Sequence, residues 1–178
     1  ILEPSTVEGY YQPLAMISLM LDYALGGREN NLMPFHRTSL ILHTATTALI
    51  IVLLYLLFGQ LWIAAAVGLL FGVHPMTVEP IPWVGERKTL LAAFFSLCSL
   101  IFYVYPRVTG HKSRVTKFYV GSLIAYFLAL MSKPTSTPLP AVMLLLDYWP
   151  LCGTGFQPVG TRPRWPCHMR RAVLEKMP

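Results

Sequence analysis

From Thr38 to Phe58 the chain runs for 21 residues without a charged side chain. The hydrocarbon core of a bilayer is roughly 30 Å thick and takes about 20 helical residues to cross, so this stretch is long enough to span one. That restricts the fold severely. In lipid every backbone N–H and C=O must be satisfied within the spanning structure, which leaves helices or a closed barrel. The composition agrees, with 54% hydrophobic residues, 12% charged residues and a mean hydropathy of +0.53. This is far from the balance of a soluble domain. The expected fold class is therefore all-α, a polytopic membrane helix bundle of about five transmembrane segments.

The other segments follow by counting. Leu61 to Val73 is apolar for 13 residues, and a single helix from Thr38 to Val73 would be near 54 Å long at about 1.5 Å per residue. One crossing cannot absorb that length, so Gly59 and Gln60 read as the turn of a tight helical hairpin. Further segments are expected at 89–105, 118–132 and 135–149, the last two joined by Lys133 and Pro134. Pro138 and Pro140 are expected to kink the last one, which neighbouring helices tolerate by satisfying the freed carbonyls. Residues 1–37 read as an external loop, 38–149 as the bundle, and 150–178 as a basic cytoplasmic loop or tail. Because the sequence opens on Ile1, and Ala172 to Pro178 resembles the start of another segment, it reads as a piece of a longer chain. No charged region, short apolar core and small-residue cleavage site stand at the front, so no signal peptide is expected.

Orientation is carried by Lys and Arg, which are in excess in short cytoplasmic loops. Arg107, Lys112, Arg114 and Lys117 crowd the loop after the third segment, and Arg162, Arg164, Arg170, Arg171 and Lys176 crowd the tail, together nine of the 14 basic residues. With five crossings both places fall on one side, which should be the cytoplasm. The N-terminal stretch, the loop after Val73 and Lys133 then share the opposite face. The net charge of +6 is accounted for as a topogenic signal and calls for no nucleic-acid partner. An integral, multi-pass location is expected, in a bacterial inner membrane or in the endoplasmic reticulum of a eukaryote.

Between Pro13 and Leu25, Leu14, Ile17, Leu21 and Leu25 share one helical face, with Ser18 and Asp22 on another. Two readings stand, a helix lying in the interface and a helix packed on the bundle. The three cysteines contain no CxxC, so neither a disulfide framework nor a thiol metal site is indicated. The five histidines are scattered; His36 and His43, two turns apart, read as packing or interfacial residues, and no metal ligand set is assigned. No Walker loop, nucleotide fingerprint or GxSxG elbow occurs.

The polar stretch His74 to Lys88, HPMTVEPIPWVGERK, lies between two apolar runs, and polar groups at a membrane face are commonly functional. Arg87 supplies a planar fork for phosphate oxygens and Lys88 a point charge. The carboxylates of Glu79 and Glu86 can orient hydroxyls, bind a cation or take a proton, and Trp83 suits interface depth. A lipid-linked phosphate would find partners here, with Lys133 as a further contact from the same face. The structural reading stands beside it: Glu86 pairs with Arg87 or Lys88 at a helix start, Pro80 and Pro82 shape a turn, and Lys133 snorkels.

Four blocks in order carry a resemblance: YYQPLAMISLMLDYALGG at 10–27, FGVHPMTVEPIPWVGERKTLLAAFF at 71–95, LALMSKPTSTPLPAVMLLLDYWPL at 128–151 and LEKMP at 174–178. Together they resemble the transmembrane and TPR-repeat-containing (TMTC-like) O-mannosyltransferase family, including its bacterial relatives. The resemblance covers most of the chain except about 153–171, a Gly-, Pro- and Arg-rich stretch that reads as an inserted flexible loop. It implies a partial GT-C fold taking a sugar, mannose in the eukaryotic members, from a polyprenyl-phosphate donor to a hydroxyl acceptor, with protein as the acceptor partner. It implies as well that the catalytic carboxylate stands in a first external loop, expected upstream of Ile1, and that TPR helices follow the bundle. This segment by itself is then expected to be inactive. Arg87, Lys88 and Lys133 become the expected donor-phosphate contacts, and His74, Glu79 and Glu86 the pocket's polar residues. Beyond the lipid-linked sugar no cofactor is assigned. A non-catalytic membrane anchor of a TPR scaffold and a transporter subunit are the alternative functions.

Overall fold

A computed structural model describes residues 12–28, 30–109 and 115–148. The order of elements is α1 (Pro13–Ala24), α2 (Met33–Phe58), α3 (Leu61–Val73), α4 (Pro75–Val78), α5 (Arg87–Thr109), α6 (Val115–Ser132) and α7 (Leu139–Tyr148). Two 3-10 turns, Val84–Glu86 and Pro134–Ser136, lead into α5 and α7. Among the described residues the one non-helical pairing is an isolated bridge between Arg28 and Asn31.

Helix α5 is the central member, packed between α2 and α6. Leu100, Tyr103 and Val104 on α5 meet Leu53 from α2 and Leu139 from α7 in the core. The remaining apolar surface faces outward: Leu40, Ile41 and Val52 on α2 and Leu123, Ile124 and Phe127 on α6 are exposed. On α2, apart from Leu53, and on α6 the buried positions are instead small or polar, including Ser39, His43 and Thr46 on α2 and Ser122, Ala125 and Ala129 on α6. This inverts the soluble pattern and suits lipid, where small residues permit close helix approach and hydroxyls bond between helices. Ser99 Oγ donates to the Ser122 carbonyl at 2.8 Å, and Ser122 Oγ returns a bond to the Ser99 carbonyl at 2.9 Å.

Gly59 ends α2 in the left-handed region, φ +69°, where its N–H bonds the Tyr55 carbonyl. Lacking a Cβ, glycine reaches this conformation without strain. The hairpin thus turns where the length argument placed it. Ala64, Gly68 and Gly72 recur every fourth residue on α3 and seat it on α2; a Cβ at Gly68 would overlap Ile51, and one at Gly72 would stand 3.1 Å from Thr47. His43 Nε2 lies 3.0 Å from the Gly72 carbonyl, and its ring stacks on Phe71, so this histidine closes the C-terminus of α3 as a packing residue.

Three helical stretches are long and apolar enough to cross a membrane: Met33–Phe58, Val84–Thr109 and Val115–Ser132. At the other two places where sequence counting expects crossings stand shorter helices. Helix α3 has 13 residues. Helix α7 has 10 and begins after Pro138, with the missing N–H of Pro140 falling in its first turn, where no partner is needed. Pairings between helices set their directions. The N-termini of α2, α5 and α7 and the C-termini of α3 and α6 share one end, while Arg107 and Lys117 mark the other. The basic tail and residues 110–114 lie outside the described residues.

Candidate functional site

At the shared end, Thr77 Oγ1 donates to the carbonyls of Phe71 and His74 at 2.5 and 2.8 Å, closing α3. His74 is extended at φ −66°, ψ 129°, and its Nδ1 accepts from the Met76 N–H at 3.3 Å, with Pro75 in the first helical position. The HP pair is thus a helix start: a side-chain cap followed by a residue whose missing N–H is not wanted there. His74 and Glu79 are exposed, and neither joins the cationic residues further along. Glu86 closes the second turn through its N–H to the Trp83 carbonyl, 3.0 Å, and the Trp83 indole is exposed where an interface would meet it.

From Glu86 to Thr89 the chain enters α5, and helical rotation splits its side chains between two directions. Arg87 turns into the bundle and is fully buried. One guanidinium nitrogen donates to Asp22 Oδ2 at 2.7 Å and to Ser18 Oγ at 3.1 Å, and the other to the Phe35 carbonyl at 2.6 Å. Thr38 adds a 2.7 Å bond to the second Asp22 oxygen. Arg87 is therefore committed to α1 and α2 and has no face toward a lipid phosphate. The opposite charge of Asp22 and the three hydrogen bonds offset the cost of removing this cation from water, while its Nε is buried without a hydrogen-bond partner among the described residues.

Glu86, Lys88 and Thr89 stay on the outer side and meet Lys133. Thr89 Oγ1 donates to Glu86 Oε2 at 2.6 Å and accepts from Lys133 Nζ at 2.9 Å; Lys133 and Lys88 stand 3.9 and 3.8 Å from the two Glu86 oxygens. Glu86 and both lysines remain partly exposed, at 29–41% for their side chains. The cluster holds two cations against one carboxylate, a local excess of one positive charge, and two of its members, Lys133 and Thr89, line a groove of about 270 Å³. Below Lys133 and Thr89 the groove is lined by Ala92, Ala93, Pro138, Leu139 and Val142, with Ser96 and Ser136 bonded at 3.1 Å across it. A charged mouth over an apolar trough fits an anionic head carried on a hydrocarbon tail. Among the described residues no three His, Cys, Asp or Glu side chains come close enough to hold a metal ion.

Three of the six expected site residues, Glu86, Lys88 and Lys133, are thus brought together; Arg87 is directed away, and His74 and Glu79 stand apart. Sequence reasoning missed Thr89 and Asp22. Asp22 carried a usable signal, being an acid in an otherwise uncharged helix, although nothing local named its partner 65 residues away.

A bundle with hydroxyls and an ion pair inside, apolar side chains outside and three helices of crossing length is an integral membrane protein. Its sequence is 28% identical to human protein O-mannosyl-transferase TMTC2 over 138 residues, 77% of this chain and 16% of the relative. It is 32% identical to Tmtc2 of Drosophila melanogaster over 105 residues, 58% of this chain and 11% of the relative. With human TMTC4 it shares 29% over 144 residues, 74% of this chain and 19% of the relative. The chain is thus similar to proteins named protein O-mannosyl-transferases of the TMTC type. It spans less than one fifth of the length of these curated relatives. No family profile matches it, and no solved structure does.

Proposed function

We propose that the chain is the donor-binding part of a membrane glycosyltransferase, which moves mannose from a polyprenyl phosphate to a protein hydroxyl at the non-cytoplasmic face. The kinship with proteins named O-mannosyl-transferases supports the reaction class. The observation that carries the donor reading is the Lys133–Thr89–Glu86–Lys88 cluster at the head of an apolar groove. The phosphate sits against Lys133 and Lys88, and the first isoprene units lie along Ala92, Ala93 and Val142.

In this reading a carboxylate from outside the described residues takes the acceptor proton. The acceptor oxygen attacks the sugar's anomeric carbon, and the bond from that carbon to the phosphate oxygen breaks with inversion. The electron pair leaves with the polyprenyl phosphate, whose added charge Lys133 and Lys88 stabilise. Glu86 keeps both ammonium groups at the groove mouth while the site is empty. Arg87 acts on the phosphate only through the position it gives α5, since it is fully buried and its two terminal nitrogens are bonded to Asp22, Ser18 and Phe35.

The test is Lys133→Ala in the full-length protein, reconstituted with polyprenyl-phosphate mannose and a Ser/Thr peptide. Loss of one charge-assisted contact, about 1.5–3 kcal/mol, should raise the donor KM roughly 10- to 100-fold. An unchanged KM removes the donor site from this groove. A wild-type protein without transfer activity that still binds its partners would favour the membrane-anchor reading.

A further inference from the structure

We infer that Asp22 is a positioning residue for the Glu86–Lys88–Lys133 cluster: through Arg87 it fixes the rotation of the first turn of α5, and so the direction in which residues 86, 88 and 89 point. The inference rests on the donor-site reading for its catalytic consequence, though not for its geometry. Glu86 to Thr89 are consecutive residues astride the join between a 3-10 turn and α5. Backbone bonds from the Glu86 N–H to the Trp83 carbonyl and from the Arg87 N–H to the Val84 carbonyl close this turn, and the side-chain anchor that fixes its orientation against the other helices is Arg87. Arg87 is the residue held, by bonds from three sources, Asp22 and Ser18 on α1 and the Phe35 carbonyl on α2.

Asp22 is the only charged member of that set and is itself 3% exposed. Both of its oxygens are used, Oδ2 by Arg87 and Oδ1 by Thr38, so α1, α2 and α5 meet at one carboxylate. The consequence appears on the opposite side of α5. With Arg87 drawn inward, Thr89 is left facing Lys133 and Glu86 at 2.9 and 2.6 Å. A rotation of one residue, about 100° for 3.6 residues per turn, would remove Thr89 from between them and open the cluster. Helix α1 thereby acquires a role that its own surface does not show, since its outward residues are mainly apolar, among them Met16, Ile17, Met20 and Leu21.

The test measures positioning separately from activity. In the full-length protein in detergent micelles, the rate of Lys133 acetylation by an amine-reactive acetyl ester is followed by mass spectrometry, with exposed Lys117 at the far end of the bundle as the internal reference. In Asp22→Asn, Lys133 should react several-fold faster while Lys117 is unchanged. Thr38→Val, which removes one bond and keeps the ion pair, should show a smaller shift in the same direction, and it carries the test if Asp22→Asn does not fold. An unchanged Lys133 rate in a folded variant overturns the inference, as does equal acceleration of both lysines, which would mean general loosening. The kinetic arm uses polyprenyl-phosphate mannose: Asp22→Asn should raise the donor KM several-fold with kcat nearly constant. A faster Lys133 with an unchanged KM supports the positioning and overturns the donor reading alone.

Discussion

Arg87 shows how much a single side chain's direction decides. Sequence alone offers it as the best phosphate ligand in the chain, because a guanidinium beside a polar loop suits an anion. Its burial against Asp22 assigns it to the framework instead. Breaking a buried pair from one side leaves an uncompensated charge, at a cost of about 3–5 kcal/mol. Asp22→Ala is therefore expected to lower the unfolding free energy by that amount, whereas Lys88→Ala, at a partly exposed pair, should cost less than about 1 kcal/mol. Equilibrium unfolding in mixed micelles distinguishes the two, and similar losses would mean that the pair is not buried in the intact protein. His74 makes the converse point. Its value as a helix cap was hidden by its value as a possible polar residue of the pocket, and His74→Ala should cost about 1 kcal/mol of stability without changing the donor KM.

At the scale of elements, α3 depends on the absence of side chains. Gly68 and Gly72 let it lie against Ile51 and Thr47 of α2, and a larger residue would force the helices apart. Gly68→Val is expected to destabilise by about 1–3 kcal/mol, as overpacking does, while Gly85→Ala, where a Cβ meets nothing within 4 Å, should be nearly neutral. Disulfide trapping between cysteines placed at Ile51 and Gly68 would report the separation directly. Helix α7 is tied on at its far end. Tyr103 Oη donates to Asp147 Oδ2 at 2.6 Å, Arg107 pairs with the other Asp147 oxygen at 3.3 Å, and the Arg107 guanidinium lies over the Tyr103 ring at 3.6 Å. Tyr103→Phe removes one bond to a charged group, and proteolysis after Tyr148 should accelerate in that variant.

For the whole molecule, the direction of each helix places the candidate site and the Arg107–Asp147 contact at opposite ends of α5. Cysteines introduced at Glu79 and Thr109, both exposed, should react with a membrane-impermeant thiol reagent from opposite sides of sealed vesicles. Labelling of both from one side would refute the expected orientation. The excess of Lys and Arg predicts that Thr109 is the cytoplasmic one.

The sequence by itself determined what depends on length and composition: an all-α membrane chain, the turn at Gly59, and a polar segment between α3 and α5 that holds Glu86 and Lys88. These follow from backbone hydrogen bonding in lipid and from glycine's freedom at positive φ, which act locally. Tertiary structure alone decided which polar groups face one another. Asp22 and Arg87, 65 residues apart, and Thr89 and Lys133, 44 apart, meet because three helices pack in a particular rotation. In a uniformly apolar helix, periodicity leaves that rotation undetermined. The few polar side chains must find partners away from lipid, and their pairing selects it.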